Sequence, residues 1–297
     1  MSVVLPAGEI VAERLALALA EDGFDRDVTC TAMFPALDLE PTGRFRLVSR
    51  QAGTFAGAAV LNALASRFSS RVAIRRSIDD GDAFAAGDSL GVIEGDVRTV
   101  LGFERTLLNF LQRLCGVATM TRRFVDAVAG TGVRIYDTRK TLPGWRELDK
   151  YAVRCGGGCN HRMGLHDAVL VKDNHLATVP LGRLAEVAGE IAERAARLQP
   201  RPAFVEIEVD SLEQFRQVLG VPGVDVILLD NFGLGAMSEA VSLRDDRGLR
   251  GRVELEVSGG VTLHTIEAIA RTGVDRVAVG ALTHSACAID LGLDRAG

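Results

Sequence analysis

Residues 203–230, AFVEIEVDSLEQFRQVLGVPGVDVILLD, decide the architecture of this chain. A short run rich in β-branched residues, a helical stretch and a second, almost wholly apolar run follow one another. Continuous apolar strands alternating with helices specify a parallel sheet covered by helices on its faces. The same texture extends in both directions, through RIYDT (134–138) and AVLVK (168–172) upstream and RVELEVS (252–258) and DRVAVG (275–280) downstream. Six such units are expected from residue 134 onward, with a further strand around Tyr151–Cys155. This count suits an α/β barrel short of eight strands better than a flat sheet, although sequence alone leaves a doubly wound sheet open.

Upstream the texture differs. Apolar positions at helical spacing from Glu9 to Leu19 predict an amphipathic helix, closed by the acidic and glycine punctuation at 21–27. Between Gly43 and Val100, alternating segments RFRLVSR (44–50), RVAIRRSI (71–78) and SLGVIEG (89–95) are divided by DDGD and AAGD turns. They predict antiparallel strands around a helix near Ala58–Phe68, an α+β domain. A helix at Glu104–Val117 is expected to link the two regions, and the polar stretch Leu243–Gly251 to be a surface loop.

Composition narrows the function classes. The 297 residues are 47% hydrophobic, enough to bury a large core, so disorder is excluded. A net charge of -5 with 25% charged residues provides no basic field for nucleic acid or an anionic membrane. Five dispersed cysteines and a start without a basic leader fit a cytoplasmic protein, and no run approaches the roughly 18 apolar residues that span a bilayer.

Parallel α/β barrels place their active sites at the carboxyl ends of the strands. Here those ends carry Arg139 and Lys140, then Lys172, Asp173 and Asn174, then Asp230 and Asn231, while Glu206 and Glu208 lie within their strand. Glu206 and Glu208 stand two apart and share a face, so burial in the barrel would demand a cation or metal. The last two units end in Ser258-Gly259-Gly260 and Gly280-Ala281, where glycine lets backbone N–H groups approach an anion closely. Cations, carboxylates and backbone donors together suit an anionic substrate, a metal-bound pyrophosphate and a terminal phosphate. Other chemistries fit less well. Cys155, Cys159 and His161 lack a complete zinc ligand set, no G-x-S-x-G elbow occurs, and the GGG run at 156–158 lacks the lysine of a phosphate-binding P-loop.

The segments DTRKTLPG (137–144), KYAVRCGGG (150–158), NHRMGL (160–165), VKDNH (171–175), LLDNF (228–232), SGGV (258–261) and VGALTHS (279–285), with ERTLLNFLQ (104–112) upstream, resemble signatures of quinolinate phosphoribosyltransferase over essentially the whole chain. The resemblance implies an N-terminal α/β sandwich at 1–115, joined by the C-terminal segment 285–297, and an incomplete α/β barrel at 116–284 that carries the active site. It implies transfer of phosphoribosyl from phosphoribosyl pyrophosphate to quinolinate with loss of CO2, giving nicotinate mononucleotide. By the same resemblance, Arg139, His161, Arg162 and Lys172 hold the two carboxylates of quinolinate, and Thr138 stands in their motif. Arg105 would reach in from the neighbouring subunit of a homodimer, with further assembly into a hexamer left open. Lys140, Glu208 and Asp230 would serve phosphoribosyl pyrophosphate as the catalytic set, the two carboxylates through Mg2+. Ser258, Gly259, Gly260, Gly280 and His284 would surround the 5-phosphate.

The chain departs from the pattern at Trp145, Cys159 and Val257. A pyrophosphorylase-like family associated with molybdenum uptake shares the fold, but the intact 160–162 and 172–175 segments favour the quinolinate enzyme. A non-catalytic dicarboxylate sensor would not need Lys140, Glu208 and Asp230.

Overall fold

A computed structural model of the chain describes residues 6–36 and 41–296. In chain order its elements are α1 (Gly8–Asp22), α2 (Val28–Ala36), β1 (Thr42–Ser49), β2 (Gly53–Thr54), α3 (Ala58–Arg67), β3 (Val72–Arg76), β4 (Ala83–Phe84), β5 (Ser89–Asp96) and α4 (Val97–Ala127). They continue with β6 (Arg134–Tyr136), α5 (Arg146–Cys155), β7 (Val169–Val171), α6 (Asp173–Leu176), α7 (Leu184–Ala195), β8 (Val205–Val209) and α8 (Leu212–Val218). Last come β9 (Val226–Asp230), α9 (Leu234–Asp246), β10 (Glu254–Ser258), α10 (Ile266–Ala270), β11 (Arg276–Ala278), α11 (Ala281–His284) and β12 (Leu291–Arg295).

The chain forms two compact units. One comprises the residues up to Arg122 together with Leu142–Gly157 and everything from Ser285 on; the other comprises Arg123–Thr141 and Gly158–His284. The first holds an antiparallel sheet in the order β12-β1-β5-β3, so the C-terminal strand completes a sheet begun by the N-terminal one. Leu15 of α1, Leu47 of β1, Leu64 of α3 and Ile93 of β5 are among its buried side chains. None of the described helices is long and apolar enough to cross a membrane.

The second unit is built on six parallel strands in the order β6-β11-β10-β9-β8-β7, and these are the six runs expected from sequence. The β-branched and leucine side chains that defined those runs, such as Ile207, Ile227, Leu229, Leu255 and Val277, are buried. This is the incomplete α/β barrel.

Two local expectations fail. The segment Tyr151–Cys155 is not a strand but the end of α5, and it packs in the first unit rather than in the barrel. Leu148, Tyr151, Ala152 and Cys155 fall at helical spacing and are buried. Asp149 pairs with Arg113 at 3.0 Å and the Tyr151 hydroxyl donates to Asp80 at 2.5 Å, both inside that unit. Leu243–Gly251 is likewise not simply a surface loop: α9 runs to Asp246, and Arg244 is fully buried between Asp245 and Asp275. The linking helix is also longer than expected, Val97–Ala127.

Candidate active site

At the carboxyl ends of the six strands lies a cleft of about 690 Å3, lined from the second unit alone. Sheet order dictates what meets what. The outer strands β6 and β7 deliver cations, Arg139 and Lys140 after one and Lys172 after the other. The inner strands β8 and β9 deliver Glu208 and Asp230. Beside them, β10 and β11 deliver the Ser258–Thr262 turn and Gly280, with His284 on α11.

His161 and Arg162 arrive by a different route. Residues 159–161 lie along β6, with Cys159 N–H donating to the Ile135 carbonyl at 2.8 Å. Buried Asp137 then fastens the loop, accepting from Asn160 Nδ2 at 2.6 Å and from His161 N–H at 2.8 Å. This places His161 and Arg162 on the cation side of the cleft. The guanidinium of Arg162 donates to the Ala168 carbonyl at 3.3 Å. Its positive charge is opposed by burial and by the nearby charge of Arg139.

The carboxylate side shows the mirror image. Asp230 is held above the usual carboxylate range, first by burial and then by the negative charge of Glu208, against the pull of the Lys172 ammonium. Lys172 Nζ forms an ion pair with Glu208, and Asn231 Nδ2 donates to Asp230 at 2.7 Å. A hard divalent cation commonly takes one or two carboxylates and completes its shell with water and phosphate oxygens, so this donor pair fits Mg2+.

The glycine turn is built for close approach. Gly259 has φ +94°, and a Cβ there would come within 2.2 Å of Asn231 Oδ1. Gly280 leaves room for Lys140 and His284, whose atoms would stand 3.1 and 3.2 Å from an added Cβ. Thr283 Oγ1 donates to the Lys140 carbonyl at 2.8 Å, and Lys140 N–H donates to Thr138 Oγ1 at 3.0 Å, which ties the β6 loop to α11.

Thr138, Arg139, Lys140, His161, Arg162, Lys172, Glu208, Asp230, Ser258, Gly259, Gly260, Gly280 and His284 therefore share one cleft wall. Arg105 does not: it is exposed on α4 in the first unit. Trp145, Cys159 and Val257 are also absent from the wall among the described residues. Trp145 packs against Phe110 in the first unit in a tilted ring pair, 4.7 Å between centroids, and Val257 is buried in β10.

At the floor of the cleft lies a buried group around Glu206, whose burial the sequence already tied to a cation, and Glu256, which the sequence reading did not single out. Glu206 and Glu256 are both fully buried, and His161 Nε2 stands 2.9 Å from Glu206 Oε2 and 3.4 Å from Glu256 Oε1. Among the described residues these three form the one cluster with metal-ligand spacing, and no cysteine joins it. Arg276 fills the cation role instead, with Nε 2.9 Å from Glu256 Oε2 and its guanidinium over the ring of Tyr136 at 4.0 Å. Burial disfavours a charged His161 and hydrogen bonds to the two carboxylates favour it, pulling the ring upward, while the backbone N–H of Arg162, aimed at Nδ1 from 2.8 Å, opposes a second ring proton. Glu206 is raised by burial and by Glu256. The signal for Glu256 was present in the sequence, since V-E-L-E-V repeats the spacing of V-E-I-E-V.

Two family models together cover most of the chain. "Quinolinate phosphoribosyl transferase, N-terminal domain" matches residues 27–115, and "Quinolinate phosphoribosyl transferase, C-terminal domain" matches residues 117–294. The chain is similar to a nicotinate-nucleotide pyrophosphorylase [carboxylating] of Mycobacterium leprae, 44% identical over 93% of this chain and 94% of the relative. It is also similar to a quinolinate phosphoribosyltransferase [decarboxylating] of Nicotiana tabacum, 36% identical over 95% of this chain and 81% of the relative. The solved nicotinate-nucleotide pyrophosphorylase of Francisella tularensis superposes with a TM-score of 0.86 at 34% identity, covering 100% of this chain and 99% of that one.

Proposed function

The chain belongs to the quinolinate phosphoribosyltransferase family, and from that premise we propose how its cleft divides the work of the reaction. The enzyme is a decarboxylating pentosyltransferase. It moves phosphoribosyl from phosphoribosyl pyrophosphate to quinolinate, giving nicotinate mononucleotide, pyrophosphate and CO2 in NAD biosynthesis.

One observation carries the proposal: the cleft gathers like charges on each of two sides, Arg139 with Arg162 and Glu208 with Asp230. Each pairing works against itself in the folded chain and is relieved by a ligand of opposite sign. Arg139, Arg162 and Lys172, with His161 beside them, hold the two quinolinate carboxylates, since guanidinium forks bind carboxylates in bidentate, charge-assisted fashion. Lys140 contacts the pyrophosphate, and the backbone N–H groups of Ser258–Gly260 and Gly280, with His284, receive the 5-phosphate. Glu208 and Asp230 would hold Mg2+, which when bound neutralises charge on the departing pyrophosphate.

The two carboxylates also face the ribose carbon where positive charge develops as the pyridine nitrogen attacks and pyrophosphate leaves. After that bond forms the ring nitrogen is cationic. The C–C electron pair can then move into the ring as the 2-carboxylate departs as CO2, and the ring carbon takes up a proton. No side-chain base is needed for either step.

Lys172 occupies a pivotal position, because the ion pair with Glu208 joins a quinolinate-binding cation to a metal-binding carboxylate. Activity should vanish in the presence of chelator and return with Mg2+. Asp230→Asn should raise the Mg2+ concentration needed for half-maximal rate while leaving the KM for quinolinate unchanged. An unaltered Mg2+ requirement would remove Asp230 from the metal site.

The working form is a homodimer in which Arg105 of each subunit completes its neighbour's site. Exposure of Arg105 on α4, outside the cleft of its own second unit, supports this reading. The unpaired state of all five cysteines supports a reducing, cytoplasmic setting.

A further inference from the structure

Both nitrogens of the His161 ring are engaged inside the protein. Nε2 faces Glu206 at 2.9 Å and Glu256 at 3.4 Å, while Nδ1 accepts the backbone N–H of Arg162 at 2.8 Å. An imidazole that accepts at Nδ1 carries its proton on Nε2, so the carboxylates orient the ring and the ring orients the backbone of the next residue. Charging the ring would put a second N–H on Nδ1, against the Arg162 N–H that points at it.

Behind the carboxylates the fold supplies a fixed counter-charge. Glu256 and Arg276 are partners in the parallel register of β10 and β11. Arg276 is clamped between the rings of Tyr136 and Phe204, 4.0 and 5.2 Å from their centroids, and His161 meets Phe204 edge-on at 5.3 Å. Glu206 Oε1 is buried without a hydrogen bond, while the two oxygens of Glu256 are met by Arg276 Nε at 2.9 Å and His161 Nε2 at 3.4 Å. Two fully buried carboxylates beside one another are costly even with these partners, and a parallel sheet does not require them. Apolar residues at 206 and 256 would fill the same layer.

We propose that Glu206, backed by Glu256 and Arg276, is a positioning residue that acts through His161 to set the backbone at Arg162, and thereby the guanidinium that receives a carboxylate of the dianionic pyridine substrate. The inference rests on the reading of Arg162 as a quinolinate ligand and deepens it. His161, itself part of the cleft lining, is on this view also the link between a buried charge layer and the cleft.

The test uses the full-length protein. Glu206→Ala removes the acceptor, and Glu206→Gln restores an acceptor oxygen without the charge. Quinolinate affinity, measured by calorimetry, is expected to fall roughly tenfold or more in the alanine variant, as small displacements of a binding group produce. The glutamine variant should recover much of that loss, and the KM for phosphoribosyl pyrophosphate should stay within about twofold, since the Ser258–Gly260 turn is untouched. Equal losses for both substrates, or no loss for either, would overturn the proposal. Arg162→Ala separates this inference from its premise. Unchanged quinolinate affinity in that variant removes the premise, whereas a loss there beside full affinity in Glu206→Ala removes only the inference.

A second measurement needs no buried substitution and decides the matter if Glu206→Ala does not fold. Nitrogen NMR of histidine-labelled wild-type protein, with the His161 signals assigned by their loss in His161→Gln, should show a protonated Nε2 and an unprotonated, hydrogen-bonded Nδ1. A proton on Nδ1 would contradict the link to Arg162.

Discussion

Lys172 is the residue on which the two halves of the site meet. It directly follows β7, its ammonium pairs with Glu208, and its backbone N–H donates to His175 Nδ1 at 2.9 Å, which closes the first turn of α6 around it. Its side chain is 45% exposed, so the ion pair adds little to stability, and its worth lies in charge delivered to the cleft. Lys172→Ala should therefore leave the melting temperature almost unchanged and lower kcat/KM for quinolinate by about 100-fold or more, the scale of losing one well-placed charge partner. Normal steady-state constants in the folded variant would remove Lys172 from the site. The charged strand ends were legible in sequence because a parallel barrel fixes where its chemistry stands once the strands are found. The layer beneath was not. Strand E-L-E spacing shows that Glu256 shares a face with Glu254, but only the sheet register reveals that its neighbour is Arg276, 20 positions later. Similarly, His161 is visible as a histidine in a motif, while its bonds to Glu206 and to the Arg162 N–H depend on a loop laid along β6.

Among the elements, α5 shows why local texture misleads. Tyr151 and Val153 have strand propensity, and they precede a GGG run, yet the segment is helical because tertiary packing overrides propensity. Its register is pinned by Asp80, whose Oδ2 accepts from the Tyr151 hydroxyl. The other oxygen of Asp80 accepts from the Gly57 and Ala58 N–H groups at 2.9 and 3.1 Å, capping α3. One carboxylate thus serves two helices of the first unit. Asp80→Ala should destabilise the protein by about 1–2 kcal/mol from the lost cap, with a further penalty for the stranded Tyr151 hydroxyl. Chemical denaturation would measure it, and a change within about 0.5 kcal/mol, the range of an ordinary surface substitution, would show that the cap is dispensable. The same contrast explains Arg244. A run of charges at the end of α9 looks like solvent-facing loop, but Asp245 and Asp275 make burial of its guanidinium tolerable.

For the molecule as a whole, the six parallel strands and the antiparallel N-terminal sheet were both readable from residue patterning, because strand runs repeat and turn signals divide them. The division into units was less so. Neither unit is continuous in sequence: α5 is an excursion from the barrel into the first unit, and β12 returns to pair with β1. The resemblance implied that segment 285–297 joins the first unit, whereas the excursion of residues 142–157 across a boundary near residue 115 carried no signal in the sequence. The proposed exchange of Arg105 between subunits makes the assembly itself part of the site. Arg105→Ala and Lys172→Ala, each nearly inactive alone, should regain about a quarter of wild-type activity after mixing and reassociation, since half the dimers are mixed and each mixed dimer has one intact site. No recovery, with mixed dimers shown to form, would place Arg105 outside the partner's site. The most direct measurement follows the atoms of the reaction. Purified protein would be given Mg2+, phosphoribosyl pyrophosphate and quinolinate labelled in its 2-carboxylate, with nicotinate as the alternative acceptor. Labelled CO2, pyrophosphate and nicotinate mononucleotide appearing in equal amounts, with no turnover of nicotinate, is the expected result. Turnover of nicotinate, or of neither acid by protein shown to be folded, would contradict the assignment of this cleft to a pyridine dicarboxylate.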